Sequence, residues 1–309
     1  MELALGLREH VLPHLGSHAG RAHLGPGIGG DVTFAIDEEA EAFLERFLAE
    51  RAPQVAYYSE DRGLVVPPAS RPSQVLIVDP VDGTRPAMAG LESCCVAVAA
   101  APLGRRKPTM GDVTAGCVCE IKSGTTFVAE RGAGLAIRSA GGRRTAAALS
   151  PNTDVARMFW TLGFRGRPAV PLVTVLGEMI DASSVGGAVF DLGSAAFDLT
   201  RIVTGQLDAY LDVGSRMIDE LPALRADFEQ VGGGAVLNNS PYDLAAAVLC
   251  VEEAGGTVSD AYGDPLTDQP LLGSGHEYQM SCVAAADRRL HGTILEMLDR
   301  GFARLANGG

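Results

Sequence analysis

Residues 74–84 read Gln-Val-Leu-Ile-Val-Asp-Pro-Val-Asp-Gly-Thr. The apolar run from Val75 to Val78 stops abruptly at Asp79-Pro80. A short continuous apolar run ended by turn residues fits a strand covered on both faces, so further layers are expected above and below it. Asp79 and Asp82 stand three residues apart just past this strand. Pro80 and Gly83 imply a tight turn, in which both carboxylates and the Val81 carbonyl converge on one point. Hard divalent cations take an oxygen set of that kind. Gly83 and Thr84 then offer backbone N–H groups, an anion cradle if a helix starts there. A cation beside an anion cradle suits metal-assisted phosphoryl hydrolysis. Taken alone, the pattern is read equally well as an Asx-type turn after a strand, so the flanking sequence decides.

Working outward, Ala40, Phe43, Leu44, Phe47 and Leu48 fall at helical spacing after Asp37, with Glu38, Glu39 and Glu41 near the start. Segments 54–58, 92–100 and 113–121 read as strands, and Ser123-Gly124 turns the chain into another over 125–129. The Gly-, Ala- and Arg-rich stretch 132–145 is expected to be a linker. Beyond it, strands are expected at 172–176, 208–212 and 257–260, and helices at 194–203, 244–254 and about 285–305. Met217, Leu221, Leu224, Phe228 and Val231 predict one helix, ended by Gly232-Gly233-Gly234. Strands and helices mixed in both halves predict a layered α/β (α+β) fold. Two lobes are expected, 1–148 with the Asp-Pro-Val-Asp-Gly-Thr site and 149–309 with Asp243 and substrate-selecting segments.

The chain has 309 residues, 47% hydrophobic and 20% charged, with a net charge of −13. That length suits two domains or one two-lobed unit with a sizeable core. The negative charge argues against nucleic-acid and anionic-membrane partners, which attract Lys and Arg. An anionic substrate would need bound cations to offset it. Six cysteines, none in a CxxC, sit in apolar runs and read as buried thiols of a reducing compartment. No signal or spanning segment is read, so a cytoplasmic location is expected. His10, His14 and His18 read as a surface stripe.

The acidic motifs recur in order. Asp31-Val-Thr-Phe-Ala-Ile-Asp37 precedes a helix, and Ser59-Glu60-Asp61 ends a strand. Pro241-Tyr242-Asp243 opens a helix running into Glu253-Ala-Gly-Gly256, and Gly193-Ser-Ala-Ala-Phe-Asp-Leu is followed by Gly205-Gln-Leu-Asp-Ala-Tyr210. This series resembles the inositol monophosphatase family across residues 30 to 285. The resemblance implies an alternating α-β-α-β-α sandwich of the sugar-phosphatase type, a homodimer, and a Mg²⁺-dependent phosphomonoesterase acting on a small phosphate ester. Two or three Mg²⁺ ions are implied, with Mn²⁺ also suited to oxygen-only ligands.

Carried over by resemblance, Glu60, Asp79 and the Val81 carbonyl hold one ion, and Asp79, Asp82 and Asp243 a second. Thr84, oriented by Asp37, polarises the attacking water together with Glu60. Gly83 and Thr84 bind phosphate, Arg85 is a further candidate for it, and Asp212 contacts a substrate hydroxyl. Glu60, Asp79, Asp82 and Asp243 are four carboxylates, whose charge two divalent cations would cancel. The chain departs from the family at Arg85-Pro86-Ala87, where x-Asn-Phe is usual, at Tyr242 in place of Trp, and in lacking a lysine within 25–30. It also carries extra residues between Asp212 and Asp243. These are expected to cap the pocket and select the alcohol through Arg216 or Arg225. Two rival readings are a nucleotidase of the 3′-phosphoadenosine phosphate type and a catalytically silent metal-binding relative.

Overall fold

The structure is a computed structural model that describes residues 1–17, 23–26, 32–68 and 71–308. Its elements stack in five layers, α-β-α-β-α. The helices Glu2–Val11 and Ala35–Arg51 form the first, seating Leu3, Leu7, Leu44 and Leu48 against Val78, Val96, Val98 and Cys119. Those residues belong to an eight-stranded sheet. Its order across is Arg144–Thr145, Gly134–Arg138, Thr126–Glu130, Ala115–Glu120, Cys95–Pro102, Gln74–Asp82, Ala56–Ser59 and Gly63–Val65. Pairing is antiparallel except between Ala56–Ser59 and Gln74–Asp82.

The helices Ala195–Val203 and Pro241–Glu253 fill the middle layer, with Leu199, Ile202, Leu244 and Leu249 in its core. A five-stranded sheet follows, in the order Ala188–Phe190, Phe159–Leu162, Ala209–Asp212, Cys282–Ala285 and Thr257–Ser259. The helices Ala169–Ser183 and Arg288–Ala306 close the stack around Trp160, Leu211 and Val283. The strand Cys95–Pro102 shows why its sequence is apolar throughout. Cys95, Ala97, Ala99 and Ala101 face the middle layer, while Val96 and Val98 face the first, so neither face meets water before Ala100, and only Pro102 at the end is exposed.

The middle layer sets the position of the site. A Cβ at Gly116 would come within 2.7 Å of the Ala246 carbonyl oxygen, so the Pro241–Glu253 helix lies almost on the sheet backbone. Its small face, Ala245, Ala246 and Ala247, is fully buried there. That brings the start of this helix level with the end of the Gln74–Asp82 strand.

Several expectations are corrected. The strand does not stop at residue 78 but runs on to Asp82, with its register to Cys95–Pro102 disturbed between Asp79 and Asp82. The sharp turn comes at Gly83, where φ is +84°. Stretch 132–145 is no linker, since it supplies the two strands Gly134–Arg138 and Arg144–Thr145 at one edge of the large sheet. Residues 172–176 are helical, because Leu172, Val175, Leu176, Met179 and Ser183 continue one buried stripe at helical spacing. The single helix expected over 217–231 is two, Gly214–Glu220 and Arg225–Val231. Pro222 divides them, having no N–H for the ladder and clashing with the preceding turn. The final helix starts at Arg288, capped by Asp287, after a strand that takes up Ala285.

Among the described residues no helix is long and apolar enough to cross a membrane. All six cysteines are buried free thiols. His10 stacks on Phe43 and His14 lies 3.5 Å from Glu39, while His18 lies outside the described residues, as do Asp31 and segment 27–30.

Candidate functional site

Three elements end at one place: the Gln74–Asp82 strand and the N-termini of the two middle-layer helices. The strand brings Asp79 and Asp82, and the Pro241–Glu253 helix brings Asp243 in its first turn. Their carboxylate oxygens lie within 4.8 Å of one another. Asp79 is only 2% exposed and Asp82 6%. Ser194 caps the Ala195–Val203 helix, and its hydroxyl donates to Asp82 Oδ2 at 2.7 Å, as does the Ala196 amide at 2.7 Å.

Like charges packed this closely out of water resist ionisation. Burial, then the charges of Glu60, Asp82 and Asp243, hold the Asp79 carboxyl well above the usual carboxylate range. Burial raises Asp82 to about 6, against the relief of the Ser194 and Ala196 hydrogen bonds. Burial and the Asp82 charge raise Asp243 to about 8, opposed by the Ser240 amide and by Arg165 and Arg167. The set is oxygen-only, and without a cation burial and mutual repulsion hold Asp79 and Asp243 toward their protonated forms. This is the donor chemistry of a Mg²⁺ or Mn²⁺ site, and the residues present fit such an ion.

Glu60, at the end of the Ala56–Ser59 strand, lines the cleft next to Asp82 and Asp243 but lies outside the tight trio. Its segment is braced by Glu41, whose buried carboxylate accepts from Ser59 Oγ at 2.9 Å and from the Asp61 amide at 3.2 Å. Thr84 opens the short helix Thr84–Ala89. Its hydroxyl lies 2.9 Å from Asp37 Oδ1 and 3.1 Å from the Val81 carbonyl oxygen. Asp37 is fixed in turn by the Phe34 amide, which donates to Oδ2 at 2.9 Å. Thus the 47-residue separation between Asp37 and Thr84 closes to a direct hydrogen bond.

Gly83 allows no other residue. A Cβ there would meet the Ser93 carbonyl oxygen at 2.6 Å and Ser194 Cβ at 2.8 Å, and the positive φ disfavours any side chain. Arg85 lies over the Phe34 ring, 5.4 Å from its centroid.

From the carboxylates a cleft of about 690 Å³, open mouth included, runs between the two sheets. Its far wall comes from segment 162–167 and from 236–240, the returning arm of the extra residues. Asp212 is 1% exposed and does not line this cleft. Its Oδ2 pairs with Arg167, and its Oδ1 accepts from the Gly214 amide at 2.9 Å. Arg216 and Arg225 do not reach the cleft either. Arg216 is tied to Glu220, Asp299 and the Ala261 carbonyl, and Arg225 pairs with Glu229 at the surface. The extra residues therefore meet the cleft through 236–240, not through their helices.

Sequence reasoning missed Ser194 as a partner of Asp82, although it stands in the quoted Gly-Ser-Ala-Ala motif at a helix start. It also missed Asp198, Arg167, Asn238 and Gln279, which line the cleft from loops and a helix face and carry no motif.

The sequence model of the inositol monophosphatase family matches residues 27–301. An inositol-1-monophosphatase of Aeropyrum pernix is 26% identical over 306 aligned residues, covering 93% of this chain and 88% of its own. A fructose-1,6-bisphosphatase/inositol-1-monophosphatase of Methanothermobacter thermautotrophicus is 26% identical, with 97% and 95% covered. The crystal structure of the extragenic suppressor protein SuhB from Bartonella henselae shares the fold, with a TM-score of 0.69, 19% identity, and 97% and 96% of the two chains covered.

Proposed function

Since the chain belongs to the inositol monophosphatase family and is a phosphoric monoester hydrolase, we propose that it hydrolyses a small inositol, cyclitol or sugar phosphate with the help of Mg²⁺. The observation that carries the metal dependence is the trio Asp79, Asp82 and Asp243. Their oxygens lie inside 4.8 Å, and among the described residues no cationic side chain is hydrogen-bonded to any of them. Those three residues, with Glu60 and the Val81 carbonyl, would hold the ions, which supply Lewis-acid stabilisation of the phosphoryl and leaving oxygens.

The remaining roles belong to the chain. Thr84 has a single hydroxyl proton, and Asp37 is placed to take it in a hydrogen bond. The threonine lone pairs are then left to accept a hydrogen bond from a water and orient it toward phosphorus. Such general acid–base help is typically worth about 10²- to 10⁴-fold. Glu60, at the cleft wall, is the second acceptor for that water. The backbone amides around the Thr84–Ala89 helix start would take the phosphate oxygens. The alcohol half of the ester extends down the cleft toward 162–167 and 236–240.

The test is phosphate release from a panel of inositol, sugar and nucleotide monoesters, with Mg²⁺ and then with excess EDTA. The reading expects Mg²⁺-dependent release from a polyol phosphate. Full activity in chelator, or no release from any ester, would reject it.

A further inference from the structure

The helix Ala35–Arg51 holds the segment around Glu60 with three of its acids. Glu38 and Glu45 both accept from Arg62, at 2.7 and 2.6 Å, on the outer side. Glu41, on the inner side, is 1% exposed and takes the residues on either side of Glu60. Ser59 Oγ donates to its Oε2 and the Asp61 amide to its Oε1. One carboxylate thus clasps both neighbours of Glu60, which itself lines the cleft. The sheet does not do this work. Pairing of the Ala56–Ser59 strand ends with Ser59, opposite Gly63 and Val78, and Glu60 lies in the turn beyond it. Asp61 is tied once more, by Thr33 Oγ1 donating to its Oδ1 at 2.8 Å.

By ordinary packing rules Glu41 is out of place. Among the described residues it is the only buried acid on the two first-layer helices, and its helix otherwise buries Ile36, Ala40, Leu44 and Leu48. Burial pushes its carboxyl up to about 7, against the relief of the two hydrogen bonds and Arg62. A rule broken at one position of an otherwise consistent helix marks a functional position. Asp37 stands four residues earlier, one turn back on the same face, and its Oδ1 accepts from Thr84. Thr84 and Glu60, the two groups that orient water in the reading above, come from different segments. Both are set by the same turn of one helix.

Resting on the phosphatase reading above, we infer that Glu41 is a positioning residue for Glu60, registering it against Thr84 so that both reach one water. The hold is geometric. With both flanks bonded, the backbone of Glu60 is fixed and only its side-chain torsions remain to be set. The hydrogen-bonding capacity of the group at position 41 therefore matters more than its charge. A carboxylate accepts both bonds. A glutamine accepts from the Asp61 amide and donates to Ser59, whose hydroxyl can reverse. A leucine fills the space and makes neither bond.

The experiment uses wild type, Glu41→Leu, Glu41→Gln and Ser59→Ala, each well below its Tm. It measures kcat and KM for inositol 1-phosphate and p-nitrophenyl phosphate at saturating Mg²⁺. It also measures, without substrate, the Mg²⁺ concentration that gives half of the metal-induced rise in Tm. Removing a group that orients a metal ligand typically costs about 10- to 100-fold in metal affinity or activity. Glu41→Leu should lower kcat and raise the Mg²⁺ midpoint by that order. KM should change little, because the alcohol wall at 162–167 and 236–240 is untouched. Glu41→Gln should restore most of the loss. Ser59→Ala, short of one hydrogen bond, should lose about 3- to 10-fold. A brace that is merely structural would lower Tm and move neither kcat nor the midpoint. Both values within twofold of wild type in folded Glu41→Leu, or in Ser59→Ala if the leucine variant does not fold, overturn the inference. Equal losses in the glutamine and leucine variants overturn it in favour of a role for the Glu41 charge. Absence of Mg²⁺-dependent release from both esters by wild type would instead defeat the functional reading itself.

Discussion

Replacing Asp82 by Asn should stabilise the metal-free protein and abolish its response to Mg²⁺. Asp82 is buried, and its Oδ2 accepts from Ser194 and Ala196. An Asn carbonyl oxygen in that position keeps both bonds, and the amide removes one charge from the cluster. The folded protein raises the Asp82 pKa from 3.8 to about 6. At about 1.4 kcal/mol per unit, ionising it in place costs at most about 3 kcal/mol. The sign follows from proton counting. Below about pH 4 both folded and unfolded chains hold the proton, so the penalty is absent. It grows as pH rises toward 6 and is complete above it, because the unfolded chain has already released its proton. The Asp82→Asn variant should therefore gain up to about 3 kcal/mol over wild type at pH 7.5 and nothing near pH 4. Urea unfolding in EDTA, followed by fluorescence of the single, fully buried Trp160, measures this. In Mg²⁺ at a hundred times its Kd the wild type should recover about 2.7 kcal/mol by mass action, while the variant should not. A variant less stable than wild type by about 1 kcal/mol in EDTA at pH 7.5, or a gap that ignores pH, would refute the electrostatic reasoning.

Thr84→Ala should lower kcat by about 10²- to 10⁴-fold with little change in KM, and Asp37→Asn should behave alike because the two side chains share one hydrogen bond; a kcat within twofold of wild type would dismiss the water-orienting role. Chelation should abolish turnover, and Mg²⁺ should raise Tm more at pH 8 than at pH 5, because Asp243, raised to about 8, keeps its proton at the lower pH and must release it to bind the ion; equal shifts at both pH values would count against the cluster as the binding site. Gly83→Ala should destabilise by about 1–3 kcal/mol or more, from positive φ and the 2.6 Å approach to Ser93, readable as a drop in urea midpoint.

The motif ending the Gln74–Asp82 strand was legible because its chemistry is local: a strand, two carboxylates and a glycine in one short stretch. Asp37 and Asp243 were legible for a related reason. Each lies three residues into a helix, and each sends Oδ2 back to a backbone amide, from Phe34 at 2.9 Å and from Ser240 at 2.6 Å. A sequence reader sees the helix start, and with it the carboxylate. The cleft floor was not legible. Arg167 and Asn238 meet over Gly214 only because two loops, 70 residues apart where Arg167 bonds the Leu237 carbonyl, are folded together by the second sheet. No spacing rule encodes that. The misread helix at 169–183 failed for another reason, since a five-residue window over an apolar run cannot distinguish a strand from one face of a helix. The strands within 132–145 were hidden by glycines, which depress strand propensity but sit comfortably at a sheet edge beyond the tightly packed core.

The four aspartates of the site share one arrangement that explains how so much negative charge survives in a fold. Each gives one oxygen to a backbone amide: Asp37 to Phe34, Asp79 to Val81, Asp82 to Ala196 and Asp243 to Ser240. Three of those amides lie at helix starts, where N–H groups lack partners within the helix and the dipole favours an anion. The same bond therefore satisfies a helix end, offsets part of the repulsion and fixes the rotation of the carboxylate. Asp79, Asp82 and Asp243 each also bring a carboxylate oxygen to the shared space. Asp37 instead gives its second oxygen to Thr84, which separates the group that orients water from the groups that hold charge. The repulsion that remains among the trio, eased at Asp243 by Arg165 and Arg167, is relieved further by a cation or by protons. Competition between the two follows directly, and the affinity for Mg²⁺ should be set as much by the repulsion within the cluster as by the strength of its bonds to the ion.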